Sequence, residues 1–241
     1  MLGMQRALSL IYPAQCLMCP SLVETPGGLC SECWRETPFQ TGLLCDACGA
    51  SLPGKSDGTA ELCDDCLSMP RPWEAGRAAL AYRDFGRRLV LALKHGDRTD
   101  LAAPAAAWMA KAGRSFLTED MLILPVPVHW SRLMTRRYNQ AAELGRALSK
   151  VTRATHIPDA LQRTRRTPAQ DGMSVDDRFR NTLGAIRAAP KHAARLKGQT
   201  VCLVDDVMTS GATLSAATDA VRRAGAIHVF VLVLARVEKS N

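Results

Sequence analysis

The sequence predicts an α/β protein, with a mainly parallel sheet covered by helices on both faces and a small cysteine-rich module in front of it. Three observations carry this. Short apolar runs at 121–128, 201–204 and 227–234 alternate with stretches of helical periodicity, the pattern of strands buried on both faces. The run 201–204 leads into two carboxylates and then a small, hydroxyl-rich turn that opens a helix. Eight of the nine cysteines fall as four Cys-x-x-Cys pairs within the first 66 residues.

Size and composition bound the rest. A chain of 241 residues, 47% hydrophobic, can bury one good core and carry a small appendage. No apolar run reaches the length of a membrane span, and residues 1–11 lack a long apolar stretch or a cleavage site, so a soluble, cytoplasmic protein without a membrane span is expected. The net charge of +8 is uneven: residues 1–73 hold four Lys/Arg against eight Asp/Glu, whereas residues 129–197 hold fifteen against five. Such a field favours a polyanionic partner, a pyrophosphate or nucleic acid.

In chain order, residues 1–12 suit a short helix with Leu2, Leu8 and Ile11 near one face, stopped by Pro13 and packed beside the cysteine module. The pairs Cys16/Cys19, Cys30/Cys33, Cys45/Cys48 and Cys63/Cys66 each offer two thiolates from one turn, and two pairs complete a tetrahedral Zn²⁺ sphere. Two structural zinc sites follow, read sequentially as Cys16, Cys19, Cys30 and Cys33, then Cys45, Cys48, Cys63 and Cys66, in two ribbon-like hairpins; cross-braced pairing stays open. Iron–sulfur ligation lacks its clustered spacing, and disulfides need an oxidising compartment. So small a segment with few large apolar residues needs metal to fold.

Residues 49–56 satisfy G-x-x-x-x-G-K-[ST], but they follow a Cys-x-x-Cys pair and run into Asp57-Gly58-Thr59. A phosphate-binding P-loop must follow a buried strand and open a helix, so this match is rejected.

The prolines at 70 and 72 mark a boundary between a zinc module, 1–72, and an α/β domain, 73–241. In the latter, 80–82 suggests a strand, 85–93 and 101–116 helices, 121–128 a strand ended by its prolines, and 141–151 a helix. Lys94, near a helix end, reads more readily as compensating the dipole than as touching a phosphate. Residues 163–180, rich in Arg, Asp, Gly and Pro, read as a mobile loop. Gly225 suits a helix C-cap, and Cys202 suits core packing.

The stretch Asp205-Asp206-Val207-Met208-Thr209-Ser210-Gly211-Ala212-Thr213 is the most informative. Adjacent acids are costly in a core, so they should sit at the exposed carboxyl end of the strand. Backbone N–H groups and the hydroxyls of Thr209, Ser210 and Thr213 suit a phosphate monoester, and Asp205 and Asp206 suit sugar hydroxyls. A second basic stretch, with His129, Arg132, Arg136, Arg137, Asn139 and Gln140, lies between a strand and a helix and suits a pyrophosphate.

The acidic stretch resembles the phosphoribosyl pyrophosphate (PRPP) signature of type I phosphoribosyltransferases, D-D-x-x-[ST]-[ST]-G-x-T. The basic stretch is similar to the ComF family loop P-V-P-x-H-x-x-R-x-x-x-R-G-[FY]-N-Q, with Arg137 where the family commonly has glycine. Arg166, Gln170, Met173, Arg178 and Asn181 fit that family's later pattern. The resemblance implies a zinc module joined to a type I phosphoribosyltransferase-like domain. It further implies PRPP held by residues 205–213 with Mg²⁺, Asp205 and Asp206 as catalytic or sugar-orienting acids, and a role in natural competence and DNA uptake. The basic face, His129 to Gln140 with Arg166, Gln170 and Arg178, would hold pyrophosphate or single-stranded DNA, and other competence proteins are implied partners. Catalytic transfer to an unidentified acceptor is the alternative to PRPP binding alone.

Overall fold

The computed structural model describes residues 13–56, 58–95, 98–128, 138–165, 167 and 173–238. The expected helix at 1–12 and residues His129, Arg132, Arg136, Arg137, Arg166 and Gln170 lie outside that set.

Two short helices, α1 (Ser31–Glu36) and α2 (Asp64–Ser68), belong to the cysteine module. There follow β1 (Ala75–Ala81), α3 (Asp84–His95), a 3₁₀ turn (Thr99–Leu101), α4 (Ala102–Ala112), β2 (Leu122–Pro125) and α5 (Gln140–Thr152). Next come β3 (Thr155–His156), β4 (Leu161–Arg163), α6 (Val175–Thr182), β5 (Ile186–Ala188) and α7 (Ala193–Leu196). The chain ends in β6 (Thr200–Met208), α8 (Ala212–Arg223) and β7 (His228–Arg236).

Five strands form one parallel sheet in the order β1-β7-β6-β2-β3, so β6 lies at its centre. Its inner residues are apolar on both sides. Val201, Leu203, Val229, Val231 and Val233 join the core beneath α8, whereas Cys202, Val204, Leu232 and Leu234 join the core beneath α3, α4 and α5. Each such side chain contributes on the order of 1.5–3 kcal/mol by leaving water. Cys202 is fully buried, and burial pushes its thiol up to about 12, in keeping with a packing role.

The cysteine module straddles the β1 edge. Cys16 and Cys33 pack into the core on the α4 face, and Cys45, Cys48 and Cys66 into the core on the α8 face. Backbone bonds Gln40 N–H to Ala79 O, 3.0 Å, and Ala81 N–H to Pro38 O, 2.8 Å, cover the otherwise open strand edge. Gly49 and Gly76 permit this closeness: Gly49 has φ +73°, and a Cβ there would lie 2.5 Å from the Ala78 amide, while one on Gly76 would lie 2.4 Å from Ala47 O. The P-loop-like stretch is therefore a zinc-hairpin turn, with Leu44 bridging Ser51, packed against β1.

Two expectations are corrected. The central strand does not end before the carboxylates, since β6 carries Asp205 and Asp206 within it, Asp205 opposite Val233. The strand can hold acids because β2 departs at Pro125, which faces Val204, leaving β7 as the pairing neighbour beyond. Residues 163–180 are not wholly loop: β4 pairs antiparallel with β5, and α6 is nucleated by Ser174, whose hydroxyl accepts from Asp177 N–H at 3.2 Å. Three-residue strands and one short helix leave too little periodicity to detect. Among the described residues, no helix is long and apolar enough to cross a membrane.

Candidate functional site

The sheet opens a crevice where β6 outruns β2. Beyond Val204, whose carbonyl accepts from Val126 N–H at 2.9 Å, the two strands no longer pair, and Asp205, Asp206, Val207 and Met208 continue along β7 alone. This is the place where parallel sheets receive ligands. Thr209 and Ser210 turn the chain, and Gly211, at φ +83°, caps α8. A side chain on Gly211 would also meet Arg71 Nη1 at 3.1 Å and Trp73 at 3.2 Å. Ser210 Oγ accepts from Ala212 N–H at 3.4 Å, and Thr213 lies in the first turn of α8. A helix start, successive amides and hydroxyls are the groups that favour an anion.

The two carboxylates differ. Burial pushes the Asp205 carboxyl up to about 8; the neighbouring Asp206 charge adds to this, and Lys94 and Arg163 oppose it. Asp205 Oδ1 accepts from Asp206 N–H at 2.9 Å. Asp206 Oδ2 lies 3.2 Å from Lys94 Nζ, at the end of α3. Asp205 thus tends to keep its proton near neutral pH and can donate, whereas Asp206 is one half of an ion pair. Sequence reasoning placed Lys94 with the helix dipole, and the fold instead brings it to the crevice.

Of the basic stretch, Asn139 and Gln140 are described. Asn139 caps α5, accepting from Ala141 N–H at 3.0 Å and donating to Val126 O at 3.1 Å. Its amide therefore ties the end of β2 to α5. Gln140 is 1% exposed, and its Nε2 has no hydrogen-bond partner among the described residues. Tyr138 donates to Leu93 O, drawing this stretch towards the end of α3 that carries Lys94. Arg178, on α6, is half-buried, and Thr182 on the same helix donates to Ala212 O at 3.2 Å, placing α6 against the start of α8.

Two arginines absent from sequence reasoning reach the backbone of the turn at residues 208–210. Arg71 Nη1 donates to Ser210 O at 2.6 Å; Arg236 Nη1 donates to Thr209 O at 2.6 Å and to Met208 O at 3.3 Å. No local pattern marks either, since Arg71 reads as linker and Arg236 as the end of an apolar strand.

The eight paired cysteines gather sequentially. The Sγ atoms of Cys16, Cys19, Cys30 and Cys33 lie within 4.8 Å of one another, and so do those of Cys45, Cys48, Cys63 and Cys66. Separations of 3.6 Å for Cys19–Cys30, 3.7 Å for Cys19–Cys33 and 3.6 Å for Cys48–Cys63 approach the edge of a tetrahedral Zn–S₄ unit, roughly 3.8 Å for bonds of about 2.3 Å. The thiols perturb each other strongly: hydrogen bonding with Cys45 holds Cys48 far below the usual thiol range, and bonding with Cys45 and Cys48 pushes Cys66 far above it. A dication that takes all four as thiolates resolves that conflict, so the donor sets fit structural zinc.

Comparison with known proteins agrees with this geometry. A double zinc ribbon domain model matches residues 7–67, and a phosphoribosyl transferase domain model matches residues 144–241. The chain is 28% identical to competence protein F of Haemophilus influenzae over 228 residues, covering 92% of this chain and 96% of that protein. It is 29% identical to the DNA utilization protein YhgH of Escherichia coli K12 over 234 residues, covering 94% and 99%. With YhgH of Salmonella typhimurium the identity is 30% over 235 residues, again covering 94% and 99%. Similarity at this level along nearly the whole length, together with a zinc ribbon and a phosphoribosyl transferase domain in this chain, means that the chain belongs to the ComF family.

Proposed function

We propose that this chain is a PRPP-binding accessory protein of DNA uptake, which holds the sugar phosphate at the end of β6 and single-stranded DNA on the basic face around it. The names of its relatives, competence protein F and DNA utilization protein, support the uptake role. The observation that carries the PRPP reading is the joining of two unlike carboxylates, Asp205 and Asp206, to an anion-sized turn and a helix start within one crevice. Thr209, Ser210, Gly211, Ala212 and Thr213 hold the 5-phosphate, and Asp205 and Asp206 orient ribose hydroxyls. We divide the chain into a zinc module, 1–72, and a phosphoribosyltransferase-like domain, 73–241, working in the cytoplasm.

The diphosphate would bring Mg²⁺ as its counter-ion, and that ion would supply neutralising charge. Asp206 already faces Lys94 and Asp205 favours its proton, so these acids suit the sugar better than they suit a metal cage. In this reading pyrophosphate is the ligand of Lys94, which meets Asp206 in the crevice, and of the arginines in the sequence 129–137. Other competence proteins are its proposed partners.

Calorimetry with PRPP and Mg²⁺ tests the proposal, and saturable binding is expected. An unchanged signal on adding PRPP would sink it. The alternative reading, an active transferase, is favoured by the Asp206 carboxylate beside the proposed sugar position, which could stabilise an oxocarbenium-like state. Pyrophosphate release separates the two. Little release is expected with the common purine and pyrimidine bases, and brisk, Asp205- and Asp206-dependent release with one of them would make the protein an ordinary transferase.

A further inference from the structure

We propose that the second cysteine cluster is a working part of the phosphate loop, with Arg71 and Arg236 as the positioning residues that connect them. The proposal rests on the reading of 209–213 as a phosphate site and says what holds that site in shape.

Arg71 spans the gap with one rigid group. Its Nε donates to Cys66 Sγ at 3.3 Å, and Nη1 of the same guanidinium donates to Ser210 O at 2.6 Å. The Arg71 guanidinium also lies over the Trp73 ring, 5.8 Å from its centroid, and Trp73 Nε1 donates to Ala47 O at 2.6 Å, between Cys45 and Cys48. Arg236, 3% exposed, makes the second connection. It donates to the carbonyls of Met208, Thr209 and Val237, and its Nη2 lies 3.8 Å from the carboxylate of Asp65, which stands between Cys63 and Cys66.

The consequence follows from peptide geometry. In a trans peptide the carbonyl and the following N–H point in opposite directions. The captured carbonyls of Met208, Thr209 and Ser210 belong to three successive peptide units. Drawing those oxygens towards the arginines turns the N–H groups of Thr209, Ser210 and Gly211 the other way, into the concavity where α8 begins. That is a nest of amides for an anion, with its acceptors removed from the ligand side. A planar guanidinium transmits the position of Cys66 to Ser210 with little slack, and a metal-bound thiolate is a fixed, charged acceptor for it. The first cluster lies in the core on the opposite face of the sheet. Loss of metal from Cys45, Cys48, Cys63 and Cys66 therefore loosens the loop and lowers affinity for a sugar phosphate.

The test uses the full chain as wild type, Arg71→Ala, Arg71→Lys and Cys63→Ser. Calorimetry measures ribose 5-phosphate and pyrophosphate, elemental analysis measures zinc, and hydrogen exchange follows the amides of Ser215 and Val237, whose acceptors are Gly211 O and Met208 O. Arg71→Ala is expected to keep two zinc ions, weaken ribose 5-phosphate about tenfold, spare pyrophosphate by comparison, and speed exchange at Ser215. Arg71→Lys recovers only part of the loss, because an ammonium cannot bridge both acceptors in one plane. Cys63→Ser, with one zinc, should show the same selective loss. Equal weakening of both ligands, or unchanged ribose 5-phosphate affinity, overturns the coupling. If the wild type binds neither PRPP nor ribose 5-phosphate, the PRPP reading fails; exchange then decides the coupling, which is sustained if both variants speed it and overturned if neither does.

Discussion

Lys94 Nζ lies 3.2 Å from Asp206 Oδ2, joining the end of α3 to the strand that carries both acids. The pair is largely shielded, with side-chain exposures of 21% and 13%, so water screens it less than a surface ion pair. It holds a cation at the mouth of the crevice, beside the proposed position of the ribose and its diphosphate.

Replacing Asp205 and Asp206 together with Asn preserves shape while removing the Asp206 charge and the ionisable carboxyl of Asp205. The double variant should stay folded, because the strand end is held by β7, and its PRPP affinity measured by calorimetry should fall by at least about tenfold. A folded double variant with wild-type affinity would falsify the PRPP assignment.

Asp205 gives a pH signature. Its folded value of about 8 exceeds the ordinary 3.8, so the folded state holds a proton that the unfolded chain has released. The stability this contributes is full below about pH 4 and is lost as pH rises through about 8. Thermal melts of the unliganded protein should therefore show Asp205→Asn gaining on wild type between about pH 4 and about pH 8. Parallel pH profiles would refute the assignment of a raised carboxyl.

Two zinc ions per chain are expected by elemental analysis. Cys45 is fully buried, and Cys45→Ser should remove one ion and unfold the second hairpin while leaving the first. One zinc in the wild type, or intact disulfides in its place, contradicts this.

Gly49→Ala should destabilise the protein by more than about 2 kcal/mol in denaturant titration, because the new methyl meets the β1 backbone in a left-handed residue. A neutral effect would mean that the hairpin does not pack against β1 in solution.

Single-stranded DNA binding should weaken steeply with salt and depend on Arg132, Arg136, Arg137, Arg166 and Arg178. Each of these arginines changed to Ala leaves one phosphate unneutralised and should reduce the logarithmic salt slope by about 0.7. Affinity that stays flat with salt, or survives removal of several of these arginines, would reduce the basic face to a solubilising surface.

The sequence by itself determined the parts that rest on local chemistry. Paired cysteines at fixed spacing determine metal-sized donor sets, since each turn supplies two thiols whatever surrounds it. Buried β-branched runs with helical stretches between them determine a parallel sheet. Asp205 to Thr213 determines a turn from strand into helix, because Gly211 supplies the left-handed residue before the helix start. The tertiary structure decided where β6 and β2 part, and so that the two acids lie within a strand. It also decided that Lys94 meets Asp206, and that Arg71 and Arg236 join the second cluster to residues 208–210. Arg71 and Ser210 are far apart in the chain, as are Asp65 and Arg236, and a contact between such residues is set by how the sheet and the module pack, which leaves no periodic mark in the sequence.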